Sequence, residues 1–315
     1  MSAGAVSALV VGAAGQLGSD LMRVLGEQGV TASGWTRAEL DVADPAAVAP
    51  AVVGWAAGTG RGSRPVVFNA AAWTDVDGAE TDEATAYAVN ATAPGLLAAA
   101  CAAAGADLVH VSTDYVFAGN ADVPYPEDAP TEPLGAYGRT KAAGEQAVLG
   151  GAGHAYVVRT AWVYGAVGRN FVKTMARLEQ ERDTLEVVAD QQGSPTWSGQ
   201  LAAGLVGLAT TRPPPGVYHC TNGGQTSWCG LARAVFEELG ADPDRVQAVG
   251  SAAFRRPAPR PAYSVLASTR WASVGLPLLP DWRTALHDAF ARSGEALRPG
   301  NGHPKAPPVE VEPSR

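Results

Sequence analysis

The stretch Val10-Val11-Gly12-Ala13-Ala14-Gly15-Gln16-Leu17-Gly18 joins an apolar run, Ala8–Val11, to a helix-patterned segment, Gln16–Gln28. Glycines spaced GxxGxxG at a strand-to-helix junction meet three needs: a tight turn, backbone approach to a pyrophosphate, and close packing of helix on strand. The helix that follows aims its unpaired N–H groups and positive dipole end at a phosphate. With 37 glycines in 315 residues the spacing alone arises by chance about 0.5 times per chain. Its place directly after an apolar strand makes it a dinucleotide-binding loop, with Gly12, Gly15 and Gly18 as cofactor-binding candidates.

Working outward, strand-sized runs at Val66–Asn69, Leu108–Ser112 and Tyr156–Thr160 alternate with helical segments at Pro45–Trp55, Thr85–Ala104 and Tyr137–Leu149. Such alternation implies right-handed βαβ crossovers and a parallel sheet. Val66-Val67-Phe68 shows no polar alternation, as a strand buried on both faces requires. The expected class is α/β, with a Rossmann-type doubly wound parallel sheet in residues 1–165. From 166 to 295 the pattern loosens. A helix Phe171–Arg182, a strand Leu185–Val188 and a helix Gln200–Ala209 precede the turn Arg212-Pro213-Pro214-Pro215-Gly216. A strand Val217–Cys220 and a helix Leu231–Leu239 follow, while the Pro/Arg-rich stretch Phe254–Pro261 is no regular element. A smaller, irregular α/β substrate lobe is expected there, some of its segments returning to the first domain. Residues 296–315, rich in Pro, Gly and charge, are expected to be a disordered tail.

A hydrophobic share of 46% against 17% charged residues provides for a sizeable core. The net charge of −8 argues against a nucleic-acid partner, which needs clustered Lys and Arg, but not against a single nucleotide seated on a helix N-terminus. Cys101, Cys220 and Cys229 are too few for a disulfide framework and suit a reducing cytosol as small buried hydrophobes. No charged leader precedes the strand-sized Ala8–Val11 run, and the alanine-rich Ala84–Ala104 is interrupted by Asn90 and Pro94. A packed helix, a cytoplasmic setting and no membrane partner are expected.

Tyr137-Gly138-Arg139-Thr140-Lys141 sets a phenol and an ammonium one helical turn apart on one face. With eight tyrosines and three lysines (Lys141, Lys173, Lys305), a chance YxxxK is expected about 0.08 times, so this signal is far sharper than the glycine loop. A phenol near pKa 10 needs a drop of ~3 units, worth ~4 kcal/mol, to titrate near neutrality. One ammonium at ~4 Å and an effective dielectric near 20 supplies an interaction of that size. The expectation is therefore an acidified Tyr137 that protonates a carbonyl oxygen as hydride reaches carbon. Beyond the third of these strands, His110-Val111-Ser112-Thr113-Asp114 ends where ligands gather in such sheets. Either Ser112 or Thr113 can stabilise the carbonyl's developing charge, on opposite sides of the strand. After a second strand, Ser33-Gly34-Trp35-Thr36-Arg37 offers no acid for a ribose 2′-hydroxyl but offers Arg37 for a 2′-phosphate, which favours NADPH; Asp41 brackets the adenine.

Taken together, the glycine loop, Asn69-Ala70-Ala71-Ala72-Trp73-Thr74-Asp75-Val76-Asp77, Ser112-Thr113-Asp114-Tyr115-Val116-Phe117 and Tyr137–Lys141 resemble the dTDP-4-dehydrorhamnose reductases, a family of extended short-chain dehydrogenases. Further matches are Arg159-Thr160-Ala161-Trp162-Val163-Tyr164-Gly165, Asn170-Phe171, Asp190-Gln191-Gln192-Gly193-Ser194-Pro195-Thr196 and Arg260-Pro261-Ala262-Tyr263-Ser264, so the likeness runs to about Phe290. The resemblance implies NADPH-dependent reduction, with NADH possible, of the C4 keto group of a dTDP-4-keto-6-deoxy-L-hexose. It implies Tyr137 as proton donor, Lys141 as its pKa modulator and ribose anchor, and Thr113 as the carbonyl-side hydroxyl. Gly15, Gln16 and Leu17 would meet the pyrophosphate, Asp41 and Val42 the adenine, and Ala72, Trp73 and Thr74 the nicotinamide half. Thr113, Asp114, Trp162 and Arg260 would meet the sugar nucleotide, in a monomer or homodimer.

Two departures are visible. Trp73 stands where relatives often carry His. Some relatives dimerise through acidic residues on magnesium; Asp20 matches one of them, but Gly199 or Gln200 stands at another, so no metal is expected. Alternatives are a related deoxysugar ketoreductase of an antibiotic pathway (dihydrostreptose synthase type) and a non-catalytic regulatory homologue, which need not keep Thr113, Tyr137 and Lys141 together.

Overall fold

The computed structural model describes residues 5–151 and 153–298. Strands β1 (Val6–Val11), β2 (Thr31–Trp35), β3 (Arg64–Asn69), β4 (Asp107–Thr113), β5 (Ala155–Thr160) and β6 (Gly216–His219) form one parallel sheet in the order β6-β5-β4-β3-β1-β2. The chain winds outward from β1 to β2, then crosses back to β3 and continues the other way. That reversal opens a crevice at the carboxyl ends of β1 and β3, where the glycine loop also begins.

Alternate residues of each strand serve two separate cores. On one face Val10, Phe68, Val109 and Val158 pack under helices α1 (Gln16–Glu27) and Ser198–Thr211. On the other, Leu9, Val67, Leu108 and Val157 pack under α2 (Pro45–Ala57) and α3 (Ala93–Ala104). Burial on both faces is why these strands read as unbroken apolar runs.

The expected continuous helix over Thr85–Ala104 is instead Glu83–Tyr87, a π-turn over Ala88–Thr92, and then α3. Pro94, in the first turn of α3, has no N–H to give a preceding carbonyl, and the π-turn carries the interruption. The turn also delivers Asn90, whose side chain accepts from the Trp73 N–H at 2.9 Å and donates to the Trp73 carbonyl at 3.0 Å. The run Glu83–Ala104 is long and apolar enough to cross a membrane by composition, but half of its most apolar window is buried inside the fold, as in a core helix.

Helix α4 (Ala136–Leu149) carries Tyr137 and Lys141 and packs on α3. A third core joins α5 (Phe171–Glu181), α7 (Trp228–Glu238) and α8 (Trp282–Leu297) over the paired strands Leu185–Val188 and Val246–Val249. Helix α6, the Ser198–Thr211 segment, packs on α1, and β6 pairs with β5, so residues 198–219 return to the sheet. Between Phe254 and Pro261 there is no helix or strand. The expected tail begins too early at 296: α8 continues through Leu297, whose side chain is buried, and residues 299–315 lie outside the described residues.

Candidate active site

Each glycine of the loop answers one of its constraints. Gly12 has φ +84°, and a Cβ there would lie 2.7 Å from the Ala71 nitrogen. A Cβ on Gly18 would lie 2.1 Å from the Gly12 carbonyl oxygen, so only glycine lets α1 sit this close to the strand. Gly15 caps α1 without a side-chain bond, leaving the first-turn N–H groups, Gln16 and Leu17 among them, directed at the cleft. A side-chain-free turn ahead of an uncapped helix N-terminus fits a dinucleotide pyrophosphate. The Gln16 side chain reaches elsewhere: Nε2 donates to the Val163 carbonyl at 2.9 Å and Oε1 accepts from Asn170 Nδ2 at 2.9 Å, tying the loop to the lobe. Asn170 also caps α5, its Oδ1 accepting from the Lys173 N–H at 3.0 Å.

A cleft of about 570 Å³ opens beyond the strand ends. Gly15, Gln16, Leu17, Ala72 and Thr74 line it together with Thr113, Asp114, Tyr137 and Lys141 and with Trp162 and Arg260. Gly12 and Gly18 stand behind the loop. Trp73 lies beside the cleft, its indole N–H on the Asp75 carbonyl at 2.8 Å, packed with Tyr137 around Ala79, Ala86 and Ala136. Arg37 is exposed beyond β2 and pairs with Asp41 at 3.1 Å; the Val42 side chain belongs to the sheet core. Asp41 accepts from the Ala43 N–H at 3.0 Å, which with Arg37 holds its carboxyl below the usual value.

The choice between Ser112 and Thr113 is made by the strand's two faces. Ser112 Oγ donates to Glu145 Oε1 at 2.6 Å, and Glu145 is held by Arg159 at 2.7 and 2.9 Å, a buried ion pair beneath the cleft. Thr113 Oγ1 instead donates to Asp114 Oδ1 at 3.0 Å, accepts from the Tyr115 N–H at 3.2 Å, and lies near enough the Tyr137 phenol to act on its pKa. Lys141 Nζ, fully buried, donates to the Val111 carbonyl at 2.7 Å.

The expected acidification of Tyr137 by Lys141 is not what the site shows. Burial pushes the phenol up to about 12, opposed by the nearby Thr113 hydroxyl and reinforced by the Asp114 charge. Burial likewise pulls Lys141 down to about 8, with Glu145 opposing. Desolvation wins because the ammonium is committed to a strand carbonyl within a dry recess. Burial also raises Asp114 to about 6. Ser264 sits close enough to oppose that rise, yet the pair misses hydrogen-bond geometry, and among the described residues Asp114 Oδ2 and Ser264 Oγ both lack a hydrogen-bond partner.

Trp162 adopts φ +47°, strained for a bulky residue, and its carbonyl accepts from the Thr196 N–H at 3.2 Å. Gly193 leaves room for its indole: a Cβ there would lie 2.3 Å from Trp162 Cε2. Trp228, which no motif marked, covers the other face of that indole and is tilted against Phe171, with centroids 4.7 Å apart. Arg260 pairs with Asp77 at 2.9 Å, and Asp77 also holds Arg256 at 3.3 Å and the Ala258 N–H at 3.1 Å, clasping the Pro/Arg-rich stretch onto the segment after β3. Among the described residues no group of His, Cys, Asp and Glu converges to hold a metal ion.

A family model described as the RmlD substrate binding domain matches residues 6–294. A probable dTDP-4,6-dihydroxy-2-methyloxan-3-one 4-ketoreductase of Streptomyces antibioticus is 50% identical over 90% of this chain and 94% of its own length. A dTDP-4-dehydrorhamnose reductase of Streptomyces griseus is 49% identical over 93% of this chain and 96% of its own. The crystal structure of dTDP-4-dehydrorhamnose reductase from Bacillus anthracis in complex with NADP superposes with a TM-score of 0.86 at 34% identity, covering 91% of this chain and 99% of that one.

Proposed function

The chain belongs to the dTDP-4-dehydrorhamnose reductase family, and on that premise we propose that it reduces the C4 keto group of a dTDP-4-keto-6-deoxy-L-hexose with NADPH, NADH being the second donor. The observation that carries this reading is the cluster of Thr113, Tyr137 and Lys141 at the floor of the cleft that the glycine loop also lines. Bound NADPH supplies the hydride that reaches C4. Thr113 and Tyr137 meet the carbonyl oxygen, and the phenol, which its burial keeps protonated at neutral pH, delivers the proton as charge develops there. Lys141 stands one turn along α4 at the same end of the cleft, its ammonium anchored on the Val111 carbonyl.

The 50% identity to the Streptomyces antibioticus ketoreductase favours a related deoxysugar ketone as the second reading. The intact Thr113, Tyr137 and Lys141 set speaks against a non-catalytic homologue. Free, buried Cys101, Cys220 and Cys229 suit a reducing cytoplasm.

The test supplies dTDP-4-keto-hexoses with NADPH and then NADH, following absorbance at 340 nm and identifying the product sugar. Oxidation of NADPH with formation of the 4-hydroxy sugar is expected. No turnover of any such ketone overturns the reading.

A further inference from the structure

Gln16 belongs to two parts of the molecule at once. Its backbone N–H lies in the first turn of α1, among the groups directed at the cleft. Its side chain leaves the glycine loop and enters the lobe, where Nε2 donates to the Val163 carbonyl and Oε1 accepts from Asn170 Nδ2, each at 2.9 Å. Both ends of the amide are thereby engaged. Asn170 is itself buried, and the same Nδ2 donates to the Gly165 carbonyl at 2.8 Å. Gly165 permits the close approach: a Cβ there would lie 3.3 Å from Gln16 Cγ and 2.1 Å from Ser198 Oγ. One turn further along α1, Asp20 accepts from that Ser198 hydroxyl at 2.5 Å, so α1 meets the chain beyond β5 at two successive turns. The segment that Gln16 grips is part of the cleft wall, since Trp162 at one end of it and Phe171 at the other both line the cleft.

We infer that the Gln16 side chain is a positioning residue that couples the two ligand sites, so that the dinucleotide at the glycine loop and the sugar nucleotide against residues 162–171 each tighten the other. The inference rests on the reductase reading above. A pyrophosphate seated on the first-turn N–H groups orders the backbone of Gln16. Through the doubly bonded amide, the same event orders the wall that carries Trp162 and Asn170. The sugar nucleotide then meets a wall already held in place, and its binding loses less entropy. Reciprocity requires the sugar nucleotide to tighten the dinucleotide by the same factor. Two neutral hydrogen bonds set the scale of the effect at about 5–20-fold. No change of shape is needed.

The test measures the Kd of NADPH by fluorescence titration, with and without saturating dTDP-L-rhamnose, in wild type, Gln16→Ala and Asn170→Ser. The two ligands cannot react with each other, because both are already reduced. In wild type the sugar nucleotide is expected to lower the Kd of NADPH about 5–20-fold, and calorimetry with the ligands exchanged should return the same factor. In Gln16→Ala that factor is expected to fall to within about 2-fold of unity, while the Kd of NADPH alone stays within about 3-fold of wild type, since alanine keeps the backbone N–H. Asn170→Ser retains a side chain that can cap α5 but is too short to reach Gln16, so it is expected to lose the coupling as well. A merely structural contact would lower the melting temperature and weaken both ligands without changing the factor. A coupling factor kept in Gln16→Ala overturns the inference, as does failure of both variants to fold. A wild type that binds both ligands independently overturns it too and leaves the reductase reading standing. A wild type that fails to bind either one of them removes the reductase reading itself, and the inference with it.

Discussion

Trp162 lies face to face with Trp228, with ring centroids 3.5 Å apart and planes 6° from parallel. Gly193 makes the arrangement possible, since any larger residue intrudes on the Trp162 indole. Gly193→Ala is expected to cost about 1–3 kcal/mol of stability through overpacking. Because Trp162 lines the cleft, the same substitution is expected to raise KM for the sugar nucleotide while leaving NADPH affinity alone. Thermal melts and steady-state kinetics check both; an unchanged Tm with an unchanged KM would show that the indole tolerates the intrusion.

Tyr137→Phe removes the phenol but keeps its packing beside Trp73 and against Tyr115, whose ring centroid is 5.6 Å away. Turnover is expected to fall at least ~100-fold with NADPH binding nearly intact. Retention of wild-type kcat would assign the proton donor elsewhere.

Lys141 sets the alkaline limit. Its pKa is drawn from the ordinary 10.5 down to about 8, so kcat is expected to decline as pH rises through about 8 and the ammonium is lost. The stability consequence has the opposite slope. Between about 8 and 10.5 the unfolded chain binds more protons at this lysine than the folded one, so this group's contribution makes the protein more stable as pH rises through that window. Glu145 raises the Lys141 pKa, and Glu145→Gln is expected to move the fall in kcat to lower pH. A pH–rate profile unmoved by that change would show that the charge of Glu145 is not felt at Lys141.

Glu145 and Arg159 form an ion pair in which each side chain is 4% exposed. Removing one partner strands the other charge in a dry interior, so Glu145→Ala is expected to destabilise by about 3–5 kcal/mol in chemical denaturation. A loss below about 1 kcal/mol would mean that water reaches Arg159.

Arg37, with its side chain 86% exposed, stands just beyond β2 and, among the described residues, is held only by Asp41. Arg37→Ala is expected to raise KM for NADPH by about 10-fold and leave KM for NADH unchanged. Equal effects on both donors would remove Arg37 from 2′-phosphate recognition.

Local pattern carried most of the sheet half. The runs at Ala8–Val11, Val66–Asn69 and Tyr156–Thr160 each fall within observed strands, because a strand buried on both faces writes its burial into consecutive residues. The helix over Thr85–Ala104 was legible as helix but not as a π-turned one, since periodicity does not register a single widened turn. Trp228 went unmarked because an aromatic at a helix start is ordinary core material until its neighbour is known. The acidity of Tyr137 was misjudged for a related reason: spacing reports the nearby ammonium but not how dry the recess is.

By itself, then, the amino-acid order determined the α/β alternation, the glycine cradle and the one-turn spacing of Tyr137 and Lys141, all properties of segments shorter than twenty residues whose backbone geometry is local. Folding alone decided that Gln16 meets Asn170, that Asp77 clasps Arg260, that Gly193 yields to Trp162, and that Thr160 stands beside Thr113 across the β4–β5 register. Those relations join residues far apart in the chain and depend on how much water is excluded between them. Desolvation is a property of the assembled interior, and no stretch of sequence contains it.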